Sequence, residues 1–240
     1  MKYLHWNEKI VTDFSDRNVS DMYSCGYVFN RLGKGVMHQT RSLRIDLKKF
    51  RLSSENRRII RKGESVVIEK SPIPYENYNW KIAKMAKSFY EKKVGSSFSA
   101  NKIKELIASD QGFNTLLIFK EGNYSNEKVE KGEDKNGFAN MNFTNNIPHG
   151  YAISYENPSM IHYSYPFYDL EQAPKDMGLI MMNKVIVDAK SRGLSYVYLG
   201  SLQRPTDTYK LQFEGLEWFD GKAWSDDIEK VKKILNQADK

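Results

Sequence analysis

The segment from Asp176 to Glu217 constrains the fold more than any other part of the chain. It reads DMGLIMMNKVIVDAKSRG, then LSYVYLG, a polar turn and TYKLQFEGLEW. This pattern predicts a helix capped by Gly193, a buried strand from Ser195, a loop and a second short strand. Polar and aromatic residues stand near the strand ends, where α/β domains gather their chemistry. These residues are Tyr198, Tyr209, Lys210 and Glu217.

Strands and helices alternate through the rest of the chain. The periodicity of apolar residues predicts strands at 42–47, 65–69, 115–119, 151–155 and 159–165, and helices at 56–62, 78–93, 100–109 and 226–238. The charged segment 120–137 is predicted to be a surface loop. Such alternation indicates an α/β or α+β sheet covered by helices. A right-handed crossover should place strand 159–165 parallel to the strand from Ser195.

Most of the positive charge lies in one short region. The 240 residues carry a formal net charge of +7, with 37 basic and 30 acidic side chains. Nine basic and two acidic residues stand between Arg41 and Lys62, so this region accounts for the whole excess. A basic zone of this kind favours phosphate backbones. The prolines at Ser71–Pro74 interrupt the pattern and predict a boundary between a basic N-terminal module, 1–72, and a C-terminal domain, 73–240.

Several common functional classes lack their motifs here. GxxxxGK[ST], GxGxxG, HExxH and GxSxG do not occur. The single Cys25, interpreted as a buried or half-buried bystander thiol, excludes an internal disulfide. The four histidines (His5, His38, His149, His162) are scattered, so no zinc site is expected. There is no apolar run of about 18 residues and no secretory signal pattern. We expect a cytoplasmic monomer that binds neither membrane nor DNA.

Three motifs occur in a fixed order. The first is a strand and doubly basic helix, from Arg-Ile-Asp-Leu at Arg44 to Arg-Arg-Ile-Ile-Arg-Lys at 57–62. The second is Tyr-Pro-Phe-Tyr-Asp at 165–169, followed by Met177-Gly178. The third is Arg-Gly-Leu-Ser-Tyr-Val-Tyr-Leu-Gly at 192–200 with Tyr-Lys-x-x-Phe-x-x-Leu-Glu at 209–217. Together they resemble the arginyl-tRNA–protein transferases and their bacterial leucyl-transferring relatives, the N-end rule aminoacyltransferases.

The resemblance implies a GNAT-like acyltransferase sheet covered by helices, with a small basic N-terminal module. It implies transfer of an amino acid, with arginine favoured and leucine possible, from aminoacyl-tRNA to the α-amino group of proteins with acidic N-termini, which marks them for degradation. Aminoacyl-tRNA and the acceptor protein are the expected partners. The family's four cysteines, which bind a metal or iron–sulfur cluster, are missing around His5 and His38. No metal or other cofactor is therefore expected.

An activated ester needs positioning and electrostatic stabilisation more than a covalent nucleophile. The resemblance and the residue types together give three groups of candidate site residues. The expected catalytic residues are Tyr168, Asp169, Tyr198, Lys210 and Glu217. The expected tRNA-binding residues are Arg44, Arg57, Arg58, Arg61 and Lys62. The expected substrate-positioning residues are Gly178, Gly200 and Tyr209. Each has a structural alternative: a solvated helix face, a core tyrosine, a turn cap or a surface ion pair.

Segment 201–208 departs from the family pattern, which leaves the choice of amino acid open.

Two functions other than aminoacyl transfer also stay open. An acetyl-CoA-dependent N-acyltransferase on the same fold would carry [RQ]xxGx[GA] before the helix, whereas QAPKDMG at 172–178 lacks that spacing. A non-catalytic tRNA- or RNA-binding remnant of the family would agree with the missing cysteines. It predicts salt-sensitive binding through Arg58 and Arg61 without transfer.

Overall fold

The computed structural model describes residues 3–95, 98–122 and 148–237. Within them the strands are β1 (Asn7–Ile10), β2 (Tyr27–Phe29), β3 (Val36–Gln39), β4 (Ser42–Asp46), β5 (Val66–Pro72), β6 (Thr115–Glu121), β7 (Gly150–Asn157), β8 (Met160–Tyr168), β9 (Tyr196–Ser201), β10 (Leu216–Phe219) and β11 (Trp224–Ser225). The helices are α1 (Asp16–Ser24), α2 (Ser54–Lys62), α3 (Trp80–Lys93), α4 (Ala100–Ala108), α5 (Met177–Ser191), α6 (Ile228–Gln237) and a 3₁₀ helix (Pro205–Gln212).

An eight-stranded mixed sheet organises the molecule, in the order β11-β10-β4-β9-β8-β7-β6-β5. β8 and β9 are parallel, and α5 connects them, as the sequence predicts. The neighbouring ladders on both sides are antiparallel. A second sheet, β1-β3-β2, comes from the first forty residues. The parallel pair therefore lies inside the large sheet, flanked by antiparallel strands.

Helices cover both faces of the large sheet. One face packs α2, α5 and α6 around residues such as Ile161, Val197 and Trp218. The other packs α1, α3, α4 and the small sheet around residues such as Ile118 and Tyr198. Alternate residues of β6 and of β9 enter the two cores, because successive side chains of a strand point to opposite faces. The predicted α/β fold, a large sheet covered by helices, is confirmed.

The basic helix α2 is defined by local signals and fixed by one close approach. The hydroxyl of Ser53 accepts a hydrogen bond from the backbone N–H of Asn56 at 3.0 Å, and the Asn56 side chain accepts one from the Ser53 N–H at 3.2 Å. This capping box starts the helix, and Gly63 ends it. A Cβ on Gly63 would lie 2.2 Å from a methyl carbon of Ile180, so this glycine lets α2 lie directly against α5.

Several local predictions are wrong. Thr208 to Gln212 belong to the 3₁₀ helix, not to a second short strand, which starts only at Leu216. Lys120 and Glu121 extend β6 instead of forming the loop, and residues 123–137 of that predicted loop lie outside the described residues. Cys25 is exposed, not buried.

The N-terminal forty residues, which carried no clear periodicity, form β1, α1, β2 and β3. β4 and β5 from residues 1–72 share the large sheet with strands from 73–240. The division at residue 72 stays a prediction about domain organisation. A search of the described helices for one both long and apolar enough to cross a bilayer finds none.

Candidate functional site

The two parallel strands separate in the middle of the large sheet. Their ladder runs from Met160 opposite Tyr196 to His162 opposite Tyr198. Beyond that point β8 bulges, because the pairing with β7 skips one residue and Tyr165 takes a positive φ of 33°. β9 turns away through Gly200, whose φ of 72° is one that side chains rarely adopt. A gap therefore opens at the carboxyl ends of β8 and β9, which is where α/β sheets bind ligands.

His162 lies at the start of this gap. Its side chain is buried, and its Nδ1 lies 2.8 Å from the hydroxyl of Tyr23 on α1. Its Nε2 has no hydrogen-bond partner among the described residues. Burial, assisted by the positive charge of Lys210, lowers the pKa of His162 to about 3. The imidazole is therefore neutral at physiological pH. His162 is not among the expected site residues, because its sequence neighbours do not distinguish it from a core histidine.

Lys210 reaches the gap from the 3₁₀ helix. Its ammonium donates a hydrogen bond to the backbone oxygen of Ser201, the residue after Gly200, at 3.1 Å. Burial lowers the pKa of Lys210, although the carboxylate of Asp207 opposes this effect. The positive charge of Lys210 contributes to the lowered pKa of His162. The structure thus brings two expected site residues, Lys210 and Gly200, together at the gap.

Asp207 fixes the 3₁₀ helix that carries Lys210. Its buried carboxylate accepts hydrogen bonds from the backbone N–H groups of Gln203 at 3.0 Å and Arg204 at 2.9 Å. The Arg204 guanidinium lies 3.1 Å from the same carboxylate. Burial alone would raise the pKa of Asp207, but the charges of Lys210 and Arg204 and the two N–H donors lower it. An ionised Asp207 therefore holds the start of this helix against the end of β9.

Tyr168 and Gly178 meet at the far end of β8. A Cβ on Gly178 would lie 3.4 Å from the Tyr168 ring, so the glycine lets that ring lie against the first turn of α5. Tyr209 is 45% exposed. Burial raises the pKa of Tyr163, and the phenols of Tyr209 and Tyr168 contribute to this shift. Asp169 accepts hydrogen bonds from two backbone N–H groups of the turn that follows it, at 2.8 and 3.0 Å.

Arg44, Tyr198 and Glu217 lie side by side across three strands, because Arg44 stands opposite both of the others. Arg44 contacts Glu217 at 2.8 Å, and Lys49 contacts the second carboxylate oxygen at 2.9 Å. The Arg44 guanidinium also lies 4.1 Å from the centre of the Trp224 ring. Burial raises the pKa of Tyr198 to about 12, against the effect of Arg44, which bonds its hydroxyl. All of these polar groups are engaged with one another.

The expected tRNA-binding residues of α2 lie on the surface, at the end of the sheet where α5 begins. Lys62 pairs with Asp176, the residue before α5, at 2.6 Å. Arg58 pairs with Glu55, and Arg57 donates to the backbone oxygen of Leu52 at 2.7 Å. Arg61 is exposed and lines a groove of about 400 Å³ with Lys62, Glu64 and Ser65. The structure separates α2, on one face of the sheet, from Arg44, on the other.

The described residues offer no group of three or more histidine, cysteine, aspartate or glutamate side chains arranged around a metal ion. A shallow groove of about 420 Å³ lies on α3 and α4, between Trp80 and Lys104, away from the gap. The roles expected for the individual site residues stay predictions. The gap is the site most able to act chemically, because the Lys210 ammonium and the neutral His162 imidazole lie near Gly200, which has no side chain.

No protein-family model matches this sequence, and no curated protein does. Among solved structures, the chain is similar to the C-terminal domain of a protein described as a lysylphosphatidylglycerol synthetase from Agrobacterium fabrum. The TM-score is 0.44 with 10% identity, over 79% of this chain and 52% of that one. It is similar to FemX, with a TM-score of 0.43 and 11% identity, over 79% and 60%.

A third similar structure is the GCN5-related glucosamine N-acetyltransferase region of a fungal multi-domain β-N-acetylglucosaminidase. The TM-score is 0.42 with 11% identity, over 85% of this chain and 22% of that one. This chain spans less than two thirds of each of the three. Their TM-scores lie below 0.5, and we therefore reason from the geometry of this chain alone. The arginyl-tRNA–protein transferase family is not shown, and the resemblance to it stays a prediction.

Proposed function

We propose that this protein transfers an aminoacyl group from aminoacyl-tRNA to the α-amino group of an acceptor protein with an acidic N-terminus, as part of N-degron protein degradation. Arginine is the favoured amino acid, and leucine is the second. The observation that carries the proposal is the partly desolvated ammonium of Lys210, held by the Ser201 backbone oxygen where β8 and β9 separate. The three sequence motifs, which include Lys210 and Gly200, add support.

The reaction needs the groups that meet at this gap. The neutral amine attacks the ester carbonyl carbon, and the π electrons of the C=O bond move onto its oxygen. When the C=O bond re-forms, the bond to the ribose oxygen breaks, and the proton lost by the amine ends on that oxygen. The negative oxygen formed in between is the species that a fixed cation stabilises. In the proposal Lys210 is that cation, because burial strengthens its field and the Ser201 oxygen fixes its position.

The basic helix α2 supports the choice of a tRNA-bound donor. Its cationic side chains are exposed, and its last turn touches the residue that precedes α5. α5 begins after β8, at the same end of the sheet as the gap. A phosphate backbone lying along Arg58 and Arg61 would therefore approach the end of the sheet where the ester has to react. Tyr168 and Tyr209, in the same region, are available to contact the donor.

The start of α5 disfavours the acetyl-CoA alternative. A pyrophosphate would be expected to bind free N–H groups at a helix N-terminus. Here the residue that precedes the helix is Asp176, whose carboxylate pairs with Lys62, and this hydrogen bond lowers the pKa of Asp176. An ionised carboxylate repels phosphate. We therefore rank acetyl transfer below aminoacyl transfer.

The test is a transfer assay with separately labelled arginyl-tRNA and leucyl-tRNA and peptides that begin with Asp, Glu or Ala. We expect label in the acidic peptides, more from arginyl-tRNA than from leucyl-tRNA, and none from labelled acetyl-CoA. No label from any tRNA donor would overturn the proposal. If tRNA still binds, and Arg58→Glu with Arg61→Glu weakens that binding, the protein is the non-catalytic RNA-binding alternative. Lys222→Glu, in the exposed turn between β10 and β11, is the matched charge control.

A further inference from the structure

His162 holds a buried hydrogen-bonding atom that the protein does not use. Only 1% of the residue is exposed, and solvent does not reach Nε2. Nδ1 is engaged by Tyr23, whereas Nε2 has no partner among the described residues. Buried polar atoms are almost always hydrogen-bonded in native proteins, so each exception calls for an explanation. This exception lies at the start of the gap between β8 and β9.

The surroundings of Tyr23 determine which ring nitrogen of His162 carries the proton. Tyr23 is fully buried, and its hydroxyl oxygen accepts the backbone N–H of Phe29 at 3.5 Å. The phenolic proton then needs an acceptor, and Nδ1 of His162, at 2.8 Å, supplies it. An imidazole that accepts at Nδ1 carries its proton on Nε2 when neutral. The free nitrogen of His162 is therefore a donor.

This donor lies beside Gly200. A Cβ built on Gly200 would have one atom within 4 Å outside its chain neighbours, Nε2 of His162 at 3.7 Å. The next residue, Ser201, holds the ammonium of Lys210 through its backbone oxygen. An oxygen atom entering beside Gly200 would therefore meet a neutral N–H on one side and a cation nearby. This is the arrangement that binds an oxygen on which negative charge develops.

We propose that neutral His162 donates its Nε2–H to the carbonyl oxygen of the acyl group being transferred, with Tyr23 as the positioning residue that fixes the tautomer. This inference rests on the proposed function and adds a catalytic residue to it. The hydrogen bond strengthens as the carbonyl oxygen becomes negative and weakens when the C=O bond re-forms. No proton leaves the ring. Gly200 is needed because a side chain at that position would fill the place of the oxygen.

The groups around the ring keep it neutral. Tyr23 and Phe113 lie against it, with ring centres 5.5 and 6.2 Å away, and Tyr198 stands opposite it on β9. Lys210 is the charged group that acts on it. Apolar burial and a neighbouring cation both oppose a second proton on the imidazole. We therefore expect His162 to donate as a neutral ring throughout the range in which the protein is folded and active.

Nitrogen NMR of the full-length protein labelled with ¹⁵N-histidine tests the tautomer without reference to any reaction. Loss of one pair of ring-nitrogen signals in His162→Gln assigns the ring. We expect this pair to show a protonated Nε2 and an unprotonated Nδ1 from pH 5 to pH 8, and Tyr23→Phe to mix the two tautomers. A protonated Nδ1, or titration of His162 within that range, would overturn the inference.

Transfer kinetics test the contact with substrate. Glutamine can place an N–H near the position of Nε2, whereas leucine cannot. We expect kcat to fall about 10²-fold to 10³-fold in His162→Leu and roughly tenfold less in His162→Gln, with little change in KM. Equal losses in both variants, with melting curves that match the wild type, would show that the side chain serves packing only. Tyr23→Phe should lower kcat in proportion to the fraction of the wrong tautomer.

An amide analogue of the donor, 3′-deoxy-3′-(arginylamino)adenosine, serves as the binding probe. At saturation it should shift the Nε2 resonance of His162 and leave those of the other three histidines in place. A saturated complex with an unmoved Nε2 resonance would overturn the contact. If the wild type transfers no acyl group at all, the proposed function fails on the assay above, while the tautomer of His162 is still decided by the spectrum.

Discussion

Two clusters of polar groups at the large sheet differ in how completely their partners are supplied. In the first, the buried Arg44 and Glu217 and the more exposed Lys49 satisfy one another across β4 and β10, with distances of 2.8 and 2.9 Å. In the second, at the gap between β8 and β9, Nε2 of His162 has no hydrogen-bond partner among the described residues, and Lys210 donates to a backbone oxygen at 3.1 Å. The first cluster has the contacts of a structural ion pair, and the second has those of a site that awaits a ligand.

The difference shows that residues of similar type can have different roles in this protein. Both clusters contain residues that the sequence motifs mark as functional, and both are mostly buried. A charge that is paired and hydrogen-bonded stabilises the fold, whereas an unpaired donor in a buried gap stabilises whatever enters. The tests of this comparison therefore measure transfer activity in variants of the gap and the free energy of unfolding in variants of the Arg44–Glu217 cluster.

The largest expected effect is on transfer, at Lys210. Lys210→Met keeps the length of the side chain and removes the cation that, in the proposed mechanism, faces the carbonyl oxygen. We expect kcat for aminoacyl transfer to fall about 10²-fold to 10³-fold, measured with labelled arginyl-tRNA. The matched control is Lys222→Met, an exposed lysine in the turn between β10 and β11, which should keep wild-type activity. A Lys210→Met protein that is folded and fully active would remove the distinction between the two clusters.

Changes in the Arg44–Glu217 cluster should lower the stability of the fold. Arg44→Met leaves a carboxylate that is 11% exposed with Lys49 as its remaining partner. We expect a loss of about 2 kcal/mol in the free energy of unfolding, because the buried carboxylate loses one charged hydrogen-bond partner and keeps only the exposed Lys49. Adding Glu217→Gln should recover part of that loss, which urea denaturation of the single and double variants would measure. Losses that simply add would mean that the pair is not coupled.

A smaller effect, dependent on pH, is expected at Asp207. Its folded-state pKa is lowered, so its contribution to stability is present above the unfolded pKa of about 3.9 and disappears as the pH falls through the folded pKa. Asp207→Asn should lower the free energy of unfolding by about 1.5 kcal/mol at pH 7. The difference from the wild type should shrink below about pH 3.

Denaturation at the two pH values checks this expectation. Asp21→Asn, a change on the exposed surface of α1, should stay within about 0.5 kcal/mol of the wild type. A penalty for Asp207→Asn that is the same at both pH values would show that the carboxylate charge does not hold the 3₁₀ helix.

The sequence predicted most of the elements that build the fold. Capping at Ser53, the stop at Gly63 and the apolar periodicity of α5 are local signals, and local signals can be read in one dimension. The 3₁₀ helix at Pro205 was missed because its short apolar spacing resembles a strand, while Asp207 holds it in place through tertiary burial. The first forty residues were missed because their strands, of only three or four residues each, pair in a separate small sheet.

The candidate site was predicted in part. Lys210 and Gly200 belong to a motif that the sequence displays, and the structure brings them together. His162 was missed because nothing in its own neighbourhood distinguishes it from a core histidine. Its partner Tyr23 is 139 residues away in sequence. The pairing of Arg44 with Glu217 was missed for the same reason, since the two are 173 residues apart.

By itself the sequence determined the alternation of strands and helices, the basic surface of α2 and the motif that ends at Glu217, because periodicity, caps and charge are properties of neighbouring residues. The tertiary structure alone decided which buried polar groups are satisfied. It paired Glu217 with Arg44 and left Nε2 of His162 without a partner among the residues that the structure describes, since partners come from strands and helices that are remote in sequence. Hydrogen-bond satisfaction depends on three-dimensional neighbours, and it is the property that distinguishes the structural cluster from the candidate site.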